Sequence, residues 1–220
     1  MFRHVPNSLT ALRLILAAVF FGMLSYFQYD VSGKHGDPKW LNTAFLIYLV
    51  ALLTDFFDGY LARKWKVEGV FGRVVDPFVD KVLVLGSFIF FAGKNFTIPS
   101  QNLADVPSNV QTITGVAPWM VVLILARELL VTSLRSHNES EGHNFAAAFS
   151  GKLKMVFQSV TILVILVYVN YRPQFINIGY ERQAAIFRSF CIWATIAITV
   201  LSGLLYISRA VTLYRRDAPK

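Results

Sequence analysis

Residues 55–80 read DFFDGYLARKWKVEGVFGRVVDPFVD and join two apolar stretches, residues 41–60 and residues 74–93. Asp55 and Asp58 are three positions apart, and Asp76 and Asp80 are four apart, so each pair lies on one face of its helix. The connection between the helices is short enough for the two pairs to meet. The sequence therefore predicts a helical hairpin that brings four carboxylates together.

The rest of the chain is apolar enough to indicate a membrane protein. Of its 220 residues, 55% are hydrophobic and 15% are charged, and the mean hydropathy is +0.51. The apolar residues form blocks close to the ~20 residues that span a bilayer, at residues 12–29, 41–60, 74–93, 114–134, 153–170 and 186–208. We predict an all-α, polytopic membrane protein of six transmembrane helices, with residues 1–220 forming a single domain. Residues 1–10 mix apolar and basic side chains and predict a short interfacial helix before the first span.

The basic residues are unevenly distributed over this topology. The chain has 21 Lys and Arg residues and a formal net charge of +8. If both termini face the cytoplasm, six of these residues fall on the opposite side, namely Lys34, Lys39, Lys94, Arg172, Arg182 and Arg188. The positive-inside rule predicts such an asymmetry. The positive charge is thus explained by topology and by anionic lipid headgroups, and we expect no nucleic-acid partner.

Four carboxylates beside apolar helices need a compensating positive charge. A single carboxylate at the membrane centre costs roughly 2.5 to 3.5 kcal/mol, and neighbouring carboxylates also repel each other. Clustered oxygen ligands without Cys or His are typical of Mg²⁺ or Mn²⁺ sites. We therefore predict that divalent metal is held by Asp55, Asp58, Asp76 and Asp80. The alternatives are a salt-bridge network with Arg63, Arg73 and Lys81, and an N-cap role for Asp76 before Pro77.

Small residues lie among the same carboxylates. Gly59, Ala62 and Gly72 leave room for a flat or bulky group to approach the backbone, and a nucleotide would fit there. Close packing between membrane helices is the alternative explanation for each of these residues. Together with the aspartates, they favour a ligand site.

Residues 55–80 can be written D-x-x-D-G-x-x-A-R, eight residues, then G-x-x-x-D-x-x-x-D. This pattern resembles the signature of the CDP-alcohol phosphatidyltransferase family in every fixed position. The resemblance implies a membrane enzyme, usually homodimeric, that uses metal ions to transfer a phosphatidyl group from CDP-diacylglycerol to an alcohol and releases CMP. Two Mg²⁺ or Mn²⁺ ions would bridge the diphosphate. It also implies that Asp80 acts as the general base for the acceptor hydroxyl.

The resemblance extends to the nucleotide site and to the N-terminal segment. Residues 6–13 read P-N-x-L-T-x-x-R, which is similar to the family's segment near the nucleotide and includes Arg13. The implied CDP-diacylglycerol-binding residues are Asn7, Thr10, Asp58, Gly59, Ala62, Arg63 and Gly72.

A second polar cluster is expected to select the acceptor alcohol. It reads A-R-E at 126–128, L-R at 134–135 and G-K-L-K at 151–154. Cations favour an acceptor that carries a phosphate, and the predicted phosphate-binding residues are Arg127, Arg135, Lys152 and Lys154. The alternative is that these cations serve only the positive-inside rule. The same order of motifs resembles the bacterial branch of the family that makes phosphatidylglycerophosphate, which implies sn-glycerol 3-phosphate as acceptor, although Met155 departs from that branch.

Other functions remain open on the sequence alone. Within the family, the alternative acceptors are inositol phosphate, serine and phosphatidylglycerol. Outside it, cation transporters and intramembrane prenyltransferases also carry intramembrane aspartates. We expect a bacterial inner-membrane protein whose termini and active site face the cytoplasm.

Overall fold

The computed structural model of the chain describes residues 5–29, 38–65, 70–97, 112–140 and 149–217. These residues form six helices: α1 (Val5–Tyr26), α2 (Pro38–Trp65), α3 (Val70–Phe91), α4 (Pro118–Ser140), α5 (Phe149–Asn177) and α6 (Glu181–Asp217). A 3₁₀ turn spans Lys94–Phe96. Within the described ranges the only β pairing is an isolated bridge between Thr97 and Thr112. The predicted all-α class is confirmed.

The helices extend beyond the apolar blocks, mainly into polar sequence. Helix α4 continues to Ser140 and α6 to Asp217, where the apolar blocks were expected to end at residues 134 and 208. A helix satisfies its backbone hydrogen bonds internally in lipid and in water alike, so the end of an apolar block does not end the helix. The separate interfacial helix predicted for residues 1–10 is wrong from Val5 onward, because Pro6 lies in the first turn of α1, where proline is tolerated.

In the described part of the chain, two helical segments are long and apolar enough to cross a membrane. They are Leu153–Asn177 in α5 and Glu181–Thr212 in α6, and the apolar segment Thr10–Tyr26 of α1 is shorter. Length and composition support these spans. They do not test the predicted number of six transmembrane helices, which therefore stays a prediction.

The helices pack as one bundle in which α1 contacts α2 and α3, α2 contacts α5, and α6 contacts both α5 and α4. At its centre the ring of Phe20 lies 5.4 Å from that of Tyr48, and both side chains are buried. Polar contacts of Arg13, Asp55, Asp80, Lys81, Glu128, Thr132, Arg135, Lys154 and Tyr206 join α1 to α2 and α3, α3 to α4, and α4 to α5 and α6. One region of the bundle therefore collects side chains from all six helices.

At the opposite end, side chains complete the hydrogen bonds of α1. Asn95 Nδ2 donates to the carbonyl oxygens of Leu24 (3.1 Å) and Ser25 (2.8 Å). Trp40 Nε1 donates to the carbonyl oxygen of Met23 at 3.0 Å. The last carbonyls of a helix have no partner within it, so these contacts fix the end of α1 against its neighbours.

Two of the cations predicted for this opposite side have structural contacts. Arg172 Nη1 donates to Tyr29 Oη at 2.7 Å, and Arg172 Nε donates to Glu181 at 3.3 Å. Arg188 Nη1 donates to the carbonyl oxygen of Ile113 at 2.7 Å. These arginines tie α5 and α6 to the connections at this end of the bundle.

Close packing of α1 on α3 depends on Gly86. A Cβ atom at position 86 would lie 2.4 Å from Cζ of Phe21. The Phe21 ring is stacked on Phe90, with centroids 5.5 Å apart, so it cannot move without losing that contact. The α1–α3 approach therefore requires a residue without a side chain.

We expect Gly86→Ala to destabilise the protein by about 1–3 kcal/mol, because the added methyl group displaces the Phe21 ring. Thermal unfolding in detergent micelles measures the effect. Gly22→Ala is the matched control, since a Cβ atom added at that position would have no neighbour within 4 Å. Equal melting temperatures for the two variants would contradict this explanation of the α1–α3 contact.

Candidate active site

The acidic half of the site is organised around Arg13 of α1. Its Nη1 atom lies 3.0 Å from Asp55 Oδ1 on α2 and 2.8 Å from Asp80 Oδ1 on α3. Arg13 is only 1% exposed, whereas the side chains of Asp55 and Asp80 are 36% and 18% exposed. A buried guanidinium requires paired charge. The two aspartates supply it and remain partly accessible to a ligand.

Asp55 and Asp80 fit a divalent cation by donor chemistry, since both offer carboxylate oxygens and both are partly exposed. The predicted cluster also includes Asp58 and Asp76, which lie outside the residues whose side chains the structure describes. Among the described residues no group of three or more His, Cys, Asp or Glu side chains could hold a metal ion. The four-carboxylate site stays a prediction at Asp58 and Asp76.

Thr10 is the one predicted nucleotide-site residue whose side chain is described. It lies three positions before Arg13 on α1, hence on the same helix face, and it is 1% exposed. The other six, Asn7, Asp58, Gly59, Ala62, Arg63 and Gly72, lie outside the described side chains.

The basic half of the site is organised around Glu128 of α4. Arg127 Nη1 donates to Glu128 Oε1 at 2.8 Å, and Lys154 Nζ of α5 donates to the same oxygen. Glu128 is 7% exposed. One buried carboxylate therefore fixes two cations, and the group keeps a net positive charge.

Helix α6 supports the same cations through Tyr206. Arg135 Nη2 donates to Tyr206 Oη at 3.3 Å, and the Arg127 guanidinium lies 5.7 Å from the centroid of the Tyr206 ring. At Gly203 a Cβ atom would lie 3.2 Å from Cγ of Arg127, which is a tight approach. The arginine side chains are thus held from behind by α6.

A cavity of about 290 Å³ joins the acidic and basic halves. Its wall brings Asp80 together with Arg135 and Lys154, which the sequence assigned to separate roles. Among the described residues the full lining is Asp80, Lys81, Val84, Leu85, Glu128, Arg135, Lys154, Met155 and Gln158. Arg127 does not line it, and Lys152 lies outside the described side chains.

Lys81 is a further cation in this cavity wall. Its Nζ donates to Thr132 Oγ1 on α4 at 2.7 Å, and the Thr132 hydroxyl donates to the carbonyl oxygen of Glu128 at 2.7 Å. Arg135 Nε is buried and has no hydrogen-bond partner in the described part of the chain. The cavity therefore has a positive wall with an open donor beside the carboxylate of Asp80, and such a wall suits an anionic ligand.

A model of the CDP-alcohol phosphatidyltransferase family matches residues 3–206 of the chain. The chain belongs to this family. It is therefore an enzyme, and enzymes of this family generally use a divalent metal ion. The resemblance found in residues 55–80 is confirmed, and a cation transporter and an intramembrane prenyltransferase are excluded.

Curated bacterial relatives cover most of this CDP-alcohol phosphatidyltransferase. A CDP-diacylglycerol–glycerol-3-phosphate 3-phosphatidyltransferase of Cereibacter sphaeroides is 30% identical over 203 residues, which are 90% of this chain and 75% of the relative. An enzyme of the same name from Bacillus subtilis is 28% identical over 209 residues, 94% of each chain. A probable phosphatidylglycerophosphate synthase of Mycobacterium tuberculosis is 32% identical over 208 residues, which are 94% of this chain and 82% of the relative.

Three residues of this site were given no role by the sequence motifs. Arg13 appeared only as the end of the N-terminal segment, Glu128 only as part of A-R-E, and Gln158 not at all. Helical spacing offers a signal for Gln158, which follows Lys154 by four positions and so shares its face. The ion pair of Glu128 with Lys154 joins two helices and has no such signal.

We expect Arg13→Ala to destabilise the protein, because Asp55 and Asp80 then lose their shared cation. Breaking a buried ion pair costs about 3–5 kcal/mol, and the partial exposure of Asp55 places this loss at the lower end. Thermal unfolding in detergent micelles is the measurement. Arg209→Ala, which removes an exposed cation of α6, is the control. A melting temperature for Arg13→Ala equal to that of the control would contradict the pairing.

Proposed function

We propose that this enzyme transfers the phosphatidyl group of CDP-diacylglycerol to sn-glycerol 3-phosphate, giving phosphatidylglycerophosphate and CMP. The observation that carries this proposal is the cavity whose lining includes Asp80, Arg135 and Lys154. The relatives named for this activity match at least 90% of the chain, which supports the same acceptor.

The acceptor phosphate is bound by the positive wall of the cavity. Arg135 offers its open Nε donor, and Lys154 is held in place by Glu128. A guanidinium and an ammonium group together suit the oxygens of a phosphate monoester. Lys152 would add to this charge. Arg127 pairs with Glu128 through Nη1, and its Nε and Nη2 atoms have no hydrogen-bond partner among the described residues, so it would add further donors.

Asp80 accepts the proton of the acceptor hydroxyl. The deprotonated acceptor oxygen attacks the phosphorus that carries the diacylglycerol. The phosphoanhydride bond to CMP then breaks, and CMP leaves with the bonding electron pair. The Arg13 guanidinium donates to Asp80 Oδ1 at 2.8 Å and so fixes the position of this carboxylate, which also lines the cavity.

The donor is bound on the acidic side of the cavity. Two ions of Mg²⁺ or Mn²⁺ would be held by Asp55, Asp58, Asp76 and Asp80, and when bound they would neutralise the diphosphate and the departing CMP. The CDP group would contact Asn7, Thr10, Asp58, Gly59, Ala62, Arg63 and Gly72. The acyl chains of the donor remain in the lipid.

We further propose six transmembrane helices, a homodimer, and a bacterial inner-membrane location with both termini and the active site facing the cytoplasm. The end of the bundle that holds Arg13, Arg127, Arg135 and Lys154 would be the cytoplasmic one. Homodimerisation rests on the family resemblance.

The cations of the cavity argue against two of the other acceptors of the family. Serine and phosphatidylglycerol offer no phosphate monoester to Arg135 and Lys154. Inositol phosphate offers the same phosphate group as glycerol phosphate, so it is the acceptor that the experiment has to separate.

A panel of acceptors tests the proposal. Purified enzyme with Mg²⁺ or Mn²⁺ and CDP-diacylglycerol is supplied in turn with sn-glycerol 3-phosphate, inositol phosphate, serine and phosphatidylglycerol. We expect CMP release to depend on sn-glycerol 3-phosphate, with the lipid product identified by mass spectrometry and Asp80→Asn as the inactive control. CMP release at the same rate without this acceptor, or faster release with another one, would overturn the proposal.

A further inference from the structure

Gln158 is a buried polar residue in the wall of the cavity. It lies on α5, is 1% exposed, and lines the space together with Asp80 and Lys154. Its Nε2 atom is buried and has no hydrogen-bond partner in the part of the chain that the structure describes. An amide group left in this state is unfavourable unless a ligand completes its hydrogen bonds.

The neighbouring residues do not supply an acceptor for this amide. Lys81, Arg135 and Lys154 carry only donors. The hydrogen bonds of the two carboxylates of the wall go to other groups, since Glu128 Oε1 accepts from Lys154 and Arg127, and Asp80 Oδ1 accepts from Arg13. Among the described residues no acceptor therefore reaches Gln158 Nε2, and a molecule bound in the cavity can supply one.

The position of Gln158 shows which part of the molecule is involved. It follows Lys154 by four residues, one helical turn or about 6 Å along α5. On the proposed function, Lys154 holds the phosphate at one end of the acceptor and Asp80 faces the reacting hydroxyl at the other end. On a three-carbon acceptor the group between these two ends is the middle hydroxyl.

We infer that Gln158 determines acceptor specificity by donating a hydrogen bond from its side-chain amide to the C2 hydroxyl of sn-glycerol 3-phosphate. The inference rests on the proposed function and adds a substrate contact to it. A hydroxyl can take this hydrogen bond, because its oxygen has two lone pairs that accept from an amide N–H. An acceptor without that hydroxyl leaves the buried amide unsatisfied.

The test compares sn-glycerol 3-phosphate with 3-hydroxypropyl phosphate, which lacks only the middle hydroxyl. With the unmodified enzyme we expect kcat/KM to be about tenfold lower for the analogue, the usual effect of one lost hydrogen bond. This comparison of two acceptors uses only the unmodified enzyme. Equal kcat/KM for the two acceptors would overturn the inference while leaving the proposed function intact. An enzyme that uses neither acceptor would instead overturn the proposed function, and the inference with it.

Gln158→Leu completes the comparison. We expect this variant to lose about tenfold in kcat/KM with sn-glycerol 3-phosphate and little with the analogue, so that its discrimination between them disappears. Gln174→Leu is the matched control, because it makes the same substitution at an exposed position of α5. A loss by Gln158→Leu that is equal for both acceptors would show a structural role and overturn the inference.

Discussion

Arg13 pairs with two carboxylates from neighbouring helices, inside a bundle whose interior is otherwise largely apolar. A buried guanidinium is stable only with paired charge, and the pairing works only if α1, α2 and α3 keep their positions relative to one another. Gly86 allows α1 and α3 to approach, and the contacts of Asn95 and Trp40 fix the far end of α1. Much of the packing on this side of the molecule therefore serves to place Asp55 and Asp80.

The requirement that buried charges be paired also shapes the basic half of the site. Glu128 is a single buried acid that fixes Lys154 and Arg127, while Tyr206 contacts both Arg127 and Arg135. Charges that are paired in this way have defined positions. Because the cations outnumber the single carboxylate, the group attracts an anion. Because both halves border one cavity, the carboxylate of Asp80 and the cations of Arg135 and Lys154 line the same space.

Sequence patterns predicted the class of the fold and the family well, for physical reasons. Apolar blocks reveal helices of membrane-spanning length, and residues 55–80 carry fixed spacings that follow directly from the helical turn. Positions of helix ends were less predictable, since α4 and α6 continue through polar residues that no longer show the apolar pattern. The metal and nucleotide roles of residues such as Asp58 and Gly72 remain predictions.

Contacts between distant residues were the part that sequence could not supply. The roles of Arg13 and Glu128 depend on how α1 meets α2 and α3 and how α4 meets α5, and short motifs do not encode that geometry. Arg127 illustrates the difference, because its position in A-R-E predicts phosphate binding but gives no sign of its contacts with Glu128 and Tyr206. Gln158 became a candidate only once its unpaired amide was seen in the cavity wall.

The most direct measurement of the central claim is an experimental structure of the enzyme with Mn²⁺ and sn-glycerol 3-phosphate, using the anomalous signal of manganese to locate the metal. We predict manganese beside Asp55 and Asp80, and the acceptor in the cavity with its phosphate against Arg135 and Lys154. A phosphate bound away from both of these residues, or manganese bound away from the aspartates, would contradict the proposed arrangement.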